Sequence, residues 1–537
     1  MAEEKEILFD HIVIGSGFGG SVAAMRLAEK GYSVLVLEMG KEYKAKDFPK
    51  NNWKLRKFFW SPMMRWFGFQ RLTFFKNVFI LSGVGVGGGS LVYANTHMFP
   101  PDEFFLNPSW TKTKDWKQTL IPFYEKAKFM LGTVKNKTFG EEDAILKEIA
   151  EEMGRPDSFE GVNVGVYFGD TEKETDPYFK GLGPKRTGCT ECAGCMVGCK
   201  ETAKNSLDYN YLYFAQKFGA QIKAETKATK IEYDGDLYTV HTVSSTAFLS
   251  KKKQVFKAKN IVFAAGVLGT LDILLKQKHK YKTLTNLSET LGENLRTNSE
   301  TLCGVTAKDK KLNNGVAITS IFNPDDDTHI EIVKYPSGSN SMKMFSTLAT
   351  RQSTPFLRPF IWFGNIFYKP RAFFKQLFGR KFAEKSVIFL VMQSLDNSMK
   401  MVYKGFPFSR ISIDNKKENR VPAYIDIGQK VMHRYAEKVD GLPQNATTEV
   451  LFNMSSTAHI LGGIPMGEDD KTGVVNDKFE VFNYPGMYIL DGSIIPGNLG
   501  VNPSLTITAL SEYAMSLVPK KEGSTTVSLE EQMVKLS

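Results

Sequence analysis

Apolar residues along this chain fall into two patterns, unbroken runs and alternation. Near the N-terminus, Ile12, Val13 and Ile14 form an unbroken run, which predicts a strand of a buried parallel sheet. Ser21 to Lys30 then reads as a helix, and "SVLVLE" as a second strand ending at Glu38. Farther on, "IEIVKY" and "KSVIFLVMQSL" show strand-like alternation, and "MYIL" is a short apolar strand before Asp491. The opening strand–helix–strand predicts an α/β protein with a Rossmann-like nucleotide-binding domain. A chain of 537 residues exceeds what one simple core serves, so a second domain is expected.

Glycines add chemistry to that pattern. Gly15, Gly17 and Gly20 supply GxGxxG between the first strand and the helix. Their tasks are a tight turn, close approach of backbone to a pyrophosphate, and close helix–strand contact; the helix N-terminus offers free N–H groups to the phosphates. Glu38 is placed to accept hydrogen bonds from adenosine ribose hydroxyls, and its charge repels the extra phosphate of an NADP-like ligand. The motif's N-terminal position favours FAD, and a second glycine run, "LSGVGVGGGSLVYANTHMFPPDEFF" (81–105), points the same way. In it, Gly83, Gly87, Gly88 and Ser90 let backbone press against a flat ring or a phosphate. Asn95 fits a flavin contact close to the backbone. His97 raises covalent attachment, but nothing in the spacing demands it, and FAD is expected to be noncovalent. Asp491 and Gly492 follow the short strand, where the carboxylate meets the sugar-alcohol part of a flavin. Asn502 and Pro503 start a helix whose first N–H groups face the isoalloxazine ring.

These stretches, in this order, resemble the glucose–methanol–choline oxidoreductases. "GVGGGSLVYAN" and "GNLGVNPSLTITALSE" look most like the cholesterol oxidase branch, and "FAAGVLGTLDILL", with Ala265, and "HILGGIPMG" fit the same pattern. The resemblance covers residues 7–105, 260–300 and 450–520. It implies oxidation of an alcohol, with hydride passing to FAD and a proton to a base. His459, one of only seven histidines, holds the position of the family's active-site histidine, and histidine suits a base working near neutral pH. Asn502 matches the second member of the pair. Cholesterol oxidases also use a glutamate of the substrate domain, for which Glu331 in "THIEIVKY" is the candidate, although on an alternating strand a glutamate facing water is the reading the pattern favours. Domains in this family are discontinuous. The expected division gives 1–50, 78–105, 215–300 and 455–537 to the FAD-binding domain. The substrate domain, on a mainly antiparallel sheet, receives 51–77, 106–214 and 301–454.

Four of the five cysteines stand together as Cys189, Cys192, Cys195 and Cys199, in a segment spanning 186–205. The C-x2-C-x2-C-x3-C spacing matches the ferredoxin-type run that wraps a [4Fe–4S] cluster, although Lys200 replaces the proline usual after it. Zinc usually takes two pairs separated by a longer loop, and free or redox-switching thiols are the third reading. Cys199 is favoured as fourth ligand over the distant Cys303.

Hydrophobic content of 42% and charged content of 24% are ordinary for a folded soluble protein, no apolar run of about 18 residues predicts a spanning helix, and the acidic "MAEEKEILFD" lacks the pattern of a signal peptide. Sparse cysteine outside the run argues for a reducing compartment, so a cytoplasmic protein is expected, peripheral on the inner face of a membrane if it touches one. Much of the +11 net charge sits in residues 53–76 and 355–382. Each has six Lys or Arg, no acid, and nine or ten aromatics. Core packing and nucleic-acid binding are alternatives, but the mixture suits an anionic headgroup layer best, and no nucleic-acid partner is expected. The final "KEGSTTVSLEEQMVKLS" reads as loosely tethered.

The combined expectation is an FAD-dependent dehydrogenase of a sterol-like or other bulky hydrophobic alcohol. Electrons would leave through the cluster to a one-electron acceptor such as a ferredoxin, a cytochrome or a quinone-linked carrier. Two alternatives stand beside it: an oxygen-reducing flavin oxidase with a structural metal site, and a membrane-surface electron-transfer flavoprotein.

Overall fold

The computed structural model describes residues 8–247, 252–406, 409–414 and 421–536, so most of the acidic N-terminal stretch lies outside the described residues. The strand Leu8–Ile14 pairs in parallel with Val34–Leu37 on one side and Lys253–Phe263 on the other. Gln221–Lys223 and Met487–Ile489 add further parallel strands, while Thr226–Tyr233 and Tyr238–Ser244 close the sheet antiparallel. "VLVL" can lie mid-sheet because helices cover the faces. The helix Phe18–Glu29 crosses from the first strand to the second with all twelve residues buried.

A second sheet is antiparallel throughout. Its order is Ser346–Leu348, Leu442–Ala446, Thr301–Thr306, Ser386–Gln393, Thr328–Val333, Ile318–Phe322, Glu160–Gly161. "KSVIFLVMQSL" and "IEIVKY" are therefore strands. All six residues of Thr328–Val333 are buried, because each face meets protein. Ile330 and Ile332 pack on the helices Glu141–Glu152 and Asp426–Lys438. The fold is thus mixed α/β with a Rossmann-like half.

The 106–214 stretch is divided between the two halves. Its helix Trp116–Met130, with Phe179 and Leu207–Ala215, packs into the apolar core of the first sheet. Glu160–Gly161 joins the second sheet. Among the described residues no helix is long and apolar enough to cross a membrane.

The expected loose tail is not loose. Leu529–Lys535 is a helix with Leu529 buried, and the Leu529 amide donates to Glu29 Oε1 at 2.6 Å. Arg26, from the nucleotide-binding helix, is buried and contacts Glu29, Glu512 and Glu530 at 2.9 Å each. Its guanidinium pKa is raised: burial opposes the charge, but Glu512 and then Glu29 outweigh it. Composition suggested a tether without anchors because the anchoring cation lies some 500 residues away.

Replacing Arg26 by Ala strands Glu29 and Glu512 as unpaired buried carboxylates. Thermal unfolding of the flavin-loaded protein should show a loss of about 3–5 kcal/mol, whereas Glu530→Gln, at a half-exposed site, should lose under ~1 kcal/mol.

Candidate active site

The nucleotide cradle is built from backbone. A Cβ on Gly15 (φ +98°) would lie 2.2 Å from the Ala264 carbonyl oxygen, and one on Gly20 would lie 2.1 Å from that of Gly15. Gly17 differs: a Cβ there meets no protein atom within 4 Å, so the space beside it is open to a phosphate. Glu38 is buried and holds the turn closed, accepting from Ser16 Oγ at 2.7 Å and from the Gly40 amide at 2.7 Å. Burial raises its pKa, and those donors counter the rise.

The second glycine run folds against this turn. Gly83 touches Gly88, Gly88 touches Gly17, and the Gly87 amide donates to Ser16 Oγ at 3.1 Å. Ser90 Oγ donates to the Gly87 carbonyl at 2.7 Å. Asn95 is left-handed (φ 67°) and fully buried, yet neither Oδ1 nor Nδ2 has a protein partner. Such an orphaned amide fits a ligand contact. His97 is buried with both ring nitrogens engaged, by Thr133 at 2.8 Å and Tyr93 at 3.4 Å, and burial pushes its pKa down to about 3. Asp491 accepts from Thr270 and Ser493 at 2.5 Å each, joining Gly492 to the helix Gly266–Lys276 that Ala265 caps.

The strand Val78–Gly83 runs parallel beside Ser455–Thr457. Both end at the same edge, so the glycine run and His459 emerge side by side. His459 Nδ1 contacts Glu300 Oε1, and the Ala458 amide donates to the other Glu300 oxygen at 2.8 Å. Asn502 Nδ2 donates to Glu331 Oε2 at 3.2 Å, and the other Glu331 oxygen meets His329 Nε2 at 3.3 Å. Glu300 and Glu331 are fully buried. Burial alone would lower the pKa of His459, but Glu300 and then Glu331 outweigh it and the net shift is upward. Asn502 Oδ1 has no protein donor. Pro503 follows and caps the helix Ser504–Ser516.

Comparisons with known proteins agree with this construction. The family profile for GMC oxidoreductase matches residues 182–298 and 392–511, and that for an NAD(P)-binding Rossmann-like domain matches 13–43. The chain is 42% identical to the cholesterol oxidase of Acinetobacter baumannii, over 98% of this chain and 96% of that protein. It is 43% identical to the cholesterol oxidase of Mycobacterium tuberculosis, over 96% of this chain and 91% of that protein. The chain belongs to the GMC oxidoreductases. Pyridoxine 4-oxidase from Mesorbium loti shares the fold, with a TM-score of 0.60, 13% identity, and coverage of 95% of this chain and 99% of that one.

As a GMC oxidoreductase the chain is an FAD-dependent enzyme acting on CH–OH groups, and the open space at Gly17 and the orphaned Asn95 amide fit that cofactor. Glu300 carries no signal in the sequence that marks it for this place. It lies in "RTNSET", which reads as a polar surface loop, but Thr297 to Thr301 are all buried, and Asn298 and Ser299 turn the chain through left-handed φ values of 57° and 47°.

The four-cysteine run falls within the 182–298 match. Cys189, Cys195 and Cys199 pack in one apolar cluster with Ala94, beside Asn95, while Cys192 is exposed. The Glu191 amide donates to Cys189 Sγ at 3.4 Å, and a Cβ on Gly194 would crowd Cys192 Sγ at 3.0 Å. Burial pushes the Cys195 thiol up to about 11, with Lys204 opposing, and raises Cys189 further, aided by the other three. Lys204 Nζ, buried, donates to the carbonyls of Cys195, Leu91 and Tyr93 at 2.8–3.1 Å, tying this loop to the glycine run. Among the described residues, no group of three or more His, Cys, Asp or Glu is arranged to hold a metal ion. That differs from the ligand set expected at Cys189, Cys192, Cys195 and Cys199: the sulfurs influence one another without closing on one point. Cys303 lies elsewhere, in the core of the second sheet, with Gly428 O at 3.8 Å.

Gly17→Ala should fold with an unchanged flavin-free melting temperature but reduced flavin content by absorbance. Gly15→Ala should lose stability itself, because its methyl strikes the Ala264 carbonyl at a positive φ.

Proposed function

We propose that this chain oxidises the carbinol of a bulky hydrophobic alcohol, sterol-like in size, to the ketone or aldehyde. The observation that carries the reading is the contact of His459 with the buried Glu300, beside Glu331–Asn502. The relatives named cholesterol oxidases support the substrate class. So does a cavity of about 80 Å³ lined by Phe58, Phe59, Leu302, Phe345, Phe382 and Ser456. Leu302 and Ser456 stand two and three residues from Glu300 and His459. Pockets for drug-sized ligands hold ~300–1,000 Å³, so a ring-bearing substrate must displace these phenylalanines.

Bound FAD supplies the two-electron acceptor for the carbinol hydride. With Nδ1 facing Glu300, the imidazole has Nε2 free to take the hydroxyl proton. Glu300 and Glu331 then stabilise the imidazolium. Asn502 Oδ1, lacking a protein donor, is available to orient the hydroxyl. A ring that must be neutral to act loses activity as pH falls through its raised pKa.

The four thiols favour a second element, a [4Fe–4S] cluster held by Cys189, Cys192, Cys195 and Cys199. What supports it is the spacing, the amide directed at Cys189 Sγ, and the anchoring of the loop on the glycine run by Lys204. A cube carries its four thiolates on separate irons, so they need not converge on one point. Such a cluster supplies a one-electron outlet to a carrier protein or quinone; without it, oxygen is the acceptor.

His459→Ala should lower kcat by about 10²–10⁴-fold at unchanged flavin content. Glu300→Gln should shift the acid limb of the kcat/KM profile to lower pH, because loss of the carboxylate lowers the histidine pKa. Anaerobically purified protein should contain iron and acid-labile sulfide, lost in Cys195→Ser and kept in Cys303→Ser. Absence of both in the parent protein would refute the cluster.

A further inference from the structure

A surface helix normally gives its polar side chains to water and its apolar stripe to the core. The helices Arg358–Tyr368 and Pro370–Phe378 do the reverse. Their uncharged polar side chains point inward. Trp362 Nε1 donates to Thr347 Oγ1 at 2.6 Å, Asn365 Nδ2 to the Ala349 carbonyl at 3.3 Å, and Gln376 Nε2 to the Ser346 carbonyl at 2.6 Å. Arg358 turns inward too, over the Tyr424 ring and 3.5 Å from Glu449. The outward stripe is Phe356, Phe360, Phe363 and Phe367, spaced by four, three and four residues and 56–75% exposed. Phe374 and Phe378 extend it along the second helix at 56% and 68% exposure.

Charge selects what this face meets. From Ile332 to Ala383 the chain has nine Lys or Arg and no acid. Lys369, Arg371, Lys375, Arg380 and Lys381 are exposed beside the phenylalanines. A second copy of the chain would set these cations against their own kind. A nucleic acid would answer the cations and leave the phenylalanines in water. The headgroup layer of an anionic membrane answers both.

We propose that this two-helix face docks on an anionic phospholipid surface, with the phenylalanines in the acyl boundary and the cations among the headgroups. The face adjoins the apolar cavity: Phe345 and Phe382, on the segments flanking the helix pair, line it together with Phe58 and Phe59 from the other basic segment. A lipid-dissolved alcohol therefore has a route from bilayer to cavity. That route rests on the alcohol-oxidising reading above; the docking does not.

The test floats flavin-loaded protein, without substrate, on vesicles of phosphatidylcholine alone and of phosphatidylcholine with phosphatidylglycerol. Parent protein should float with the anionic vesicles. The triple variant Lys369→Glu, Arg371→Glu, Lys375→Glu should bind them at least about a hundredfold more weakly, from roughly fivefold per cation. The triple variant Phe360→Ser, Phe363→Ser, Phe367→Ser should not float at all. Both should keep parental flavin content and melting temperature, since the altered side chains face solvent. Three results would overturn the proposal: parent protein that ignores anionic vesicles, a phenylalanine variant that floats like the parent, or a parent dimer in sedimentation velocity that this variant turns to monomer. Because no turnover is measured, failure of the alcohol chemistry leaves this readout intact.

Discussion

Around the 15–20 turn, backbone lies directly on backbone. A methyl on Gly19 would sit 1.7 Å from the Leu490 carbonyl oxygen, and one on Gly40 would sit 2.4 Å from the Gly85 amide nitrogen. Four regions far apart in the chain, near 15–20, 83–88, 264 and 490, thereby come within contact of each other. Side chains are excluded from the seam except where Gly17 faces open space. That seam is the floor of the candidate flavin site. The site's other parts are placed from it. The strand leading into the second glycine run lies against the strand leading to His459, so that histidine inherits its position from the same packing.

Electrostatics in the site follow from what that floor excludes. Two fully buried carboxylates, Glu300 and Glu331, act on the His459 imidazole, and Glu331 also meets His329 Nε2 at 3.3 Å. Neutral donors answer part of this negative potential: the Asn502 amide donates to Glu331 and the Ala458 N–H to Glu300. The arrangement favours a ring that holds its proton firmly once acquired. Such a preference suits a proton leaving a hydroxyl more than one awaiting release to water.

Much of this was legible beforehand, for identifiable reasons. The strand–helix–strand and the glycine spacing carry their own geometry, since a pyrophosphate turn tolerates few alternatives. The alternation around Glu331 correctly marked a strand, but alternation states only that two faces differ. It does not say what covers each, and here the polar face meets Asn502 where water was expected. Glu300 escaped because a run of Thr, Asn, Ser and Glu has the composition of a loop. The two basic aromatic segments look alike in composition yet part ways. The first folds through Gln70–Phe74 onto Val78–Gly83 and buries Phe58 and Phe69 against Phe48 and Tyr335. The second keeps six of its phenylalanines outside, from Phe356 to Phe378. Composition counts residues, and only pairing partners decide which side they face.

The closeness of Gly19 to Leu490 sets an order of events during synthesis. The turn emerges from the ribosome early, and the segment that covers it follows about half a minute to a minute and a half later, at ~5–20 residues per second. Through that interval the nascent turn has no lid of its own chain, and the histidine, also C-terminal, does not yet exist. Capture of the flavin therefore belongs to the closing phase of translation, and until then the half-made sheet is a natural client for chaperones.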